Sequence, residues 1–219
     1  MTVLDLPSDV EHARLLADAP WWRIAVVGDS VAEGVREATR GWPDRGWVDW
    51  IAAALPEADV LNLGRRSLLA REVREQHLAA ALAFDPDLVL FSAGGNDMFR
   101  RDFDEHALVA ELAAIVEPLR RTGADVLMHE YLDFVGAGLV APEHAAAVDA
   151  KMRGHARAVR RVAGAQRAML VEALDRPADS RLWSSDRIHL NAEGHARFAV
   201  DAIHVLARHL ASRRQVRAA

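Results

Sequence analysis

Apolar runs of four or five residues alternate along the chain with longer stretches in which apolar positions recur at helical spacing. The short runs are Ile24-Ala25-Val26-Val27, Asp59-Val60-Leu61-Asn62-Leu63, Leu88-Val89-Leu90-Phe91, Asp125-Val126-Leu127-Met128 and Ala168-Met169-Leu170-Val171. They are nearly continuous rather than alternating, as strands buried on both faces of a parallel sheet are. Helical patterns fill the gaps over about 47–55, 68–83, 103–121, 143–163 and 192–210, the last with Phe198, Ile203, Val205 and Leu206 near helical period. Ser8, with Glu11 three residues on, has the form of a capping box and predicts a short helical extension over about 8–19. Five strands with intervening helices predict an α/β fold. The expected form is a three-layer α/β/α flavodoxin-like sandwich around a five-stranded parallel sheet, order 2-1-3-4-5, with right-handed crossovers.

No repeat, low-complexity segment or linker interrupts the alternation, so residues 1–219 are expected to form a single domain. Arg213, Arg214 and Arg217 crowd the last residues, which predicts a frayed basic tail over 212–219. Composition is that of an ordinary globular protein, 51% hydrophobic and 27% charged, and changes the picture only by exclusion. A net charge of -5 argues against a nucleic-acid partner. The lack of cysteine excludes disulfides, thiolate metal ligands and a cysteine nucleophile. Asp5, Asp9, Glu11 and Asp18 break up the first twenty residues, and no run approaches the ~18 apolar residues of a membrane span. A cytoplasmic protein with no membrane span is expected; oligomeric state is left open.

Four segments carry candidate chemistry: Gly28-Asp29-Ser30, Asn62-Leu63-Gly64, Gly94-Gly95-Asn96-Asp97 and Asp186-Arg187-Ile188-His189. The first three directly follow the first three predicted strands, which are neighbours in 2-1-3 order. The fourth lies between the fifth strand and the last helix. All four therefore open on the edge of the sheet where ligands gather. Together they supply a nucleophile, a base, a carboxylate to orient the base and donors for an oxyanion. Each also has a structural reading. Ser30-Val31-Ala32-Glu33 fits the S-x-x-E capping box, so Ser30 could cap a helix. Gly64 fits a turn, and Gly94-Gly95-Asn96-Asp97 a turn cluster. Asp186 and His189, three apart on one turn, could pin a loop before Asn191, a cap for the last helix.

With these residues the chain resembles the SGNH, or GDSL, hydrolase superfamily of esterases, lipases, thioesterases and carbohydrate deacetylases, over about residues 23–205. Ser30, Gly64, Asn96 and His189 match the four residues of that name. The resemblance implies a flavodoxin-like fold, Ser30 as nucleophile, His189 as general base and Asp186 as its orienter. It also implies an oxyanion hole made by the backbone N–H groups of Ser30 and Gly64 and the Asn96 amide, with no metal and no cofactor. Two positions depart from the pattern. Val31 stands in place of the leucine of GDSL, and the N-x-G-x-x-G block reads Asn62-Leu63-Gly64-Arg65-Arg66-Ser67, without its second glycine.

The expected function is a serine esterase acting on small-molecule esters of small or medium acyl groups through an acyl-serine intermediate. Acyl transfer to an alcohol, or thioester hydrolysis, at the same site is the alternative. A non-catalytic flavodoxin-like phosphate- or nucleotide-binding module comes last, since no G-x-G-x-x-G or Walker motif is present. Asp29, Arg65, Met98 and Phe99 are the candidates for touching substrate. Arg65 and Arg66 could attract an anion or simply be solvated. Trp42, Trp47 and Trp50 could wall a pocket or pack the core. Glu130 and Asp133 lie past the fourth strand, where substrate could also reach.

Overall fold

The computed structural model of the protein describes residues 8–218, with side chains placed through Gln215. Strands β1 (Arg23–Gly28), β2 (Asp59–Asn62), β3 (Leu88–Ser92), β4 (Asp125–His129) and β5 (Met169–Val171) form one sheet in the order β2-β1-β3-β4-β5. Every pairing is parallel, with Ile24 against Leu88, Leu88 against Asp125 and Leu127 against Met169 setting the register. The helices are α1 (Asp9–Leu15), α2 (Ser30–Glu33), α3 (Trp47–Ala54), α4 (Ala70–Phe84), α5 (Gly95–Met98), α6 (Glu105–Arg121), α7 (Pro142–Gln166) and α8 (Ala192–Ala218).

Successive strand residues point to opposite faces, and the two faces bury separate cores. Ile24, Val26, Leu88, Leu90 and Leu127 pack with α3 and α8 on one side. Ala25, Val27, Val89, Phe91, Val126 and Met128 pack with α4, α6 and α7 on the other. That double burial explains the unbroken apolar runs. β2 departs from it. As the sheet edge it has a single neighbour, and Asp59, Val60 and Asn62 are exposed.

Two sequence expectations are corrected. α1 begins with the expected box, in which the Ser8 hydroxyl accepts from the Glu11 N–H at 3.3 Å and the Glu11 carboxylate from the Ser8 N–H at 2.7 Å. It ends at Leu15 instead of running to 19, and Pro20 disfavours helix just beyond. The basic end is helical through Ala218, as part of α8. Arg213 donates to the Asp125 carboxylate at 2.7 Å and Arg214 to that of Asp18 at 2.5 Å. Asp125, almost wholly buried at the start of β4, also accepts from Arg120 and from the Trp21 indole. A buried carboxylate needs such partners, and the arginine-rich end supplies one. No helix among the described residues is long and apolar enough to cross a membrane.

Candidate active site

Ser30 lies two residues past the end of β1, at the carboxyl edge of the sheet. Gly28 permits this sharp exit, because a β-carbon there would lie 1.8 Å from the Ser92 carbonyl oxygen on β3. The next residue, Asp29, donates its N–H to that same oxygen at 2.9 Å. Asp29 then caps α2, its carboxylate accepting from the Val31 N–H at 3.1 Å. Ser30 is thus the first residue of α2 and not its cap, and its hydroxyl is free for other work. Glu33, the other half of the supposed capping box, instead holds Arg66, accepting from its N–H and its guanidinium at 2.7 Å each.

The Ser30 hydroxyl lies 2.8 Å from Nε2 of His189, across 159 positions of sequence. Nδ1 of the same ring is 2.6 Å from Asp186. Asp186 also accepts from the N–H groups of Ile188, at 2.9 Å, and His189, at 3.0 Å. Partial burial pushes its carboxyl up, but the bonds from the His189 ring, the His189 N–H and the Ile188 N–H outweigh this and hold it below its ordinary value. An ionised carboxylate can only accept, so Nδ1 carries the proton and Nε2 presents its lone pair to the Ser30 O–H.

The loop bearing His189 is stitched down from beneath. Glu37, just past α2, donates its N–H to the Ser184 hydroxyl at 3.1 Å, and its carboxylate accepts from the Ser185 N–H at 2.7 Å. Asn191 accepts from the Gly194 N–H at 3.0 Å, near the start of α8. It also donates to the Arg181 and Trp183 carbonyls. The capping role expected for Asn191 and the Asp186–His189 pairing therefore coexist.

Asn96, on α5, lines the same cleft as Ser30. One amide hydrogen is given to the Leu68 carbonyl at 2.9 Å, which leaves its other hydrogen to the cleft. Asp97 accepts from the Ala70 N–H at 2.9 Å, so two adjacent residues clamp this turn to the loop after β2. Gly64 is placed differently from expectation. Its N–H donates to its own neighbour Asn62, at 2.8 Å, and it does not line the cleft. Its lack of a side chain serves packing, because a β-carbon would sit 2.3 Å from the Glu33 nitrogen on α2. The missing second glycine is Ser67, which takes the left-handed conformation regardless, at φ 69°. Its N–H has no hydrogen-bond partner among the described residues, one position before the carbonyl that Asn96 holds.

Met98 and Phe99 line the cleft, as does Asp29 from below. Burial pushes the Asp29 carboxyl up to about 7. Arg65 is corrected: it lies at the surface near Gln76 and lines no cleft beside Ser30. Arg66 is spent on Glu33. Trp47 and Trp50 are core residues, although Trp47 also borders a second cavity. Glu130 is fully buried, held by Arg160 and by the N–H groups of Ala173 and Leu174. Asp133 accepts from the Gly136 N–H. Tyr131, Phe134, Trp183 and Ile188 complete the cleft and were not anticipated. Tyr131, the chain's sole tyrosine, sits two residues past β4 at the ligand edge, which is the signal that would have found it. Among the described residues no group of three or more His, Asp or Glu could hold a metal ion.

Residues 26–197 match the GDSL-like lipase/acylhydrolase family. The chain belongs to that family and is an ester-hydrolysing enzyme. Similar solved structures include one described as TesA, 21% identical, covering 84% of this chain and 97% of that one at a TM-score of 0.65. A variant of an acetyl xylan esterase from Geobacillus stearothermophilus is 19% identical over 83% of this chain and 94% of its own, TM-score 0.65. A lipase/acylhydrolase from Enterococcus faecalis is 16% identical over 85% and 96%, TM-score 0.65. At these identities the likeness is one of fold. No curated protein matches.

Proposed function

We propose that the protein, a single domain, is a serine esterase that hydrolyses carboxylic esters of small or medium acyl groups through an acyl-Ser30 intermediate. The observation that carries this is the unbroken chain Ser30–His189–Asp186, at 2.8 and 2.6 Å. Ser30 Oγ attacks the carbonyl carbon while its proton passes to His189 Nε2, and Asp186 stabilises the imidazolium. The tetrahedral oxyanion is held by the Ser30 N–H and the Asn96 amide. Collapse expels the alkoxide, which takes the proton from His189. A water then gives a proton to His189 and attacks the acyl carbon, and Ser30 recovers its hydrogen as the acid leaves.

The support for Ser30 over a phosphate-binding reading is that its hydroxyl faces an imidazole lone pair and not a ring of N–H groups. The test is labelling by a fluorophosphonate followed by peptide mass mapping. Modification of Ser30, lost in His189→Ala, is expected. An unlabelled Ser30 in protein that still turns over p-nitrophenyl butyrate would refute the reading.

A further inference from the structure

Two concavities meet at His189. The first, about 390 Å³ with its open mouth, is lined by Ser30, Asn96, Met98, Phe99 and Phe134. The second, about 400 Å³ on the same measure, is lined by Val35, Trp47, Leu132, Leu190 and Phe198. Val31, Tyr131, Trp183, Ile188 and His189 form the wall common to both, and only the first touches Ser30 and Asn96.

Neither space has an arginine or lysine in its wall. The polar groups of the second are mostly turned to internal partners. Glu130 is neutralised by Arg160 and bonded to two N–H groups at 3.1 Å. His195 accepts at Nδ1 from the Trp47 N–H and donates from Nε2 to the Val35 carbonyl, both at 3.1 Å. His129 donates from Nδ1 to the Glu130 carbonyl at 3.0 Å, and its Nε2 alone has no partner among the described residues. Burial lowers both histidines to about 4, so these rings are neutral. At the mouth of the first space Phe99 and Ile188 are 47% and 51% exposed, apolar surface of the kind a ligand covers.

We infer that the substrate is an uncharged ester apolar on both sides of the scissile bond, its acyl chain in the Ser30–Phe99 cleft and its alcohol group in the chamber past His189. This rests on Ser30 being the nucleophile. The acyl carbon becomes bonded to Ser30 Oγ, so the acyl space must be the one that Ser30 lines. The leaving oxygen collects its proton from His189, so the alcohol extends past that ring. A sugar would need several free donors and acceptors that these walls do not offer, and an anion would need a cation.

The experiment is a matrix of kcat/KM values for acetyl, butyryl and hexanoyl esters of methyl, benzyl and naphthylmethyl alcohol, together with an acetylated xylo-oligosaccharide. Wild type, Phe99→Ala and Val35→Trp are measured, with Val35→Phe in reserve should the tryptophan disturb folding. In wild type the hexanoyl-to-acetyl and naphthylmethyl-to-methyl ratios should each be on the order of 10- to 100-fold. Phe99→Ala should cut the acyl ratio at least several-fold, and Val35→Trp should collapse the alcohol ratio. Flat wild-type ratios, or a sugar acetate hydrolysed as well as hexanoyl naphthylmethyl ester, would overturn the inference while fluorophosphonate-labelled Ser30 left the esterase intact. Variants that exchanged their effects would overturn the assignment of the two spaces. No turnover of any ester, with Ser30 unlabelled, would bring down both readings.

Discussion

The β1–α2 corner and the loop before α8 provide the two ends of one hydrogen bond, yet they are built in opposite ways. The corner is buried. Gly28 lies against β3, Asp29 is sealed beneath Ser30, and burial holds its carboxyl near neutrality. The loop is half open to water, and Asp186 is kept ionised by three donors within 3.0 Å. Environment thus moves the two aspartates in opposite directions, burial raising Asp29 to about 7 while hydrogen bonds hold Asp186 below its ordinary value. The corner supplies rigidity to the nucleophile, and the loop supplies a fixed charge to the base.

Breaking the bond between the two regions should have the largest effect. Ser30→Ala or His189→Ala should lower kcat for p-nitrophenyl butyrate on the order of 10⁴–10⁶-fold, with thermal unfolding little changed. Asp186→Asn tests the loop alone. The amide oxygen can still accept from the Ile188 and His189 N–H groups, but it no longer supplies the charge that stabilises the imidazolium. A loss on the order of 10³–10⁴-fold in kcat is expected, and retained wild-type kcat would show that the loop's charge is unnecessary.

The corner is sharpened by Asp29→Asn, which keeps a capping oxygen and removes an ionisable group. The raised Asp29 value means that the folded protein retains a proton the unfolded chain gives up. Its contribution to stability is therefore full below the ordinary carboxylate range, falls as pH rises towards about 7, and stays low above that. In urea unfolding, the variant should match wild type near pH 4 and exceed it by up to about 4 kcal/mol at pH 8. An advantage independent of pH would contradict the buried-carboxyl account. The smallest effect is expected at Arg187, which sits between Asp186 and His189 at φ 61°. Arg187→Gly relieves a left-handed side chain but frees the unfolded backbone, so melting should show a net gain of only about 0.5 kcal/mol.

The same two regions differ in how far they could be read in advance. Asp186 and His189 are three residues apart, so local geometry alone suggested their bond. The approach of Ser30 to His189 depends on strand order, and it was legible only because parallel strands send their following loops to one edge. Gly64 shows where pattern reading misleads. Its smallness was foreseen, but the purpose is contact with α2 while Asn62 takes its N–H. Ser67 keeps the conformation of a glycine that the letters no longer show. Tyr131, Phe134, Trp183 and Glu37 went unmarked because each matters through partners distant in sequence. The arginines after 212 looked like a loose end because nothing local reveals that Asp125 waits for one of them.

That last tie has a practical side. α8 starts beside the His189 loop and is fastened at Arg213 to the first residue of β4, at the far rim of the sheet. A tether joined beyond that point would emerge roughly a helix length away, on the order of 30 Å from the reactive hydroxyl. Anchored to a solid support in this way, the enzyme would turn its entrance outward to the passing solution.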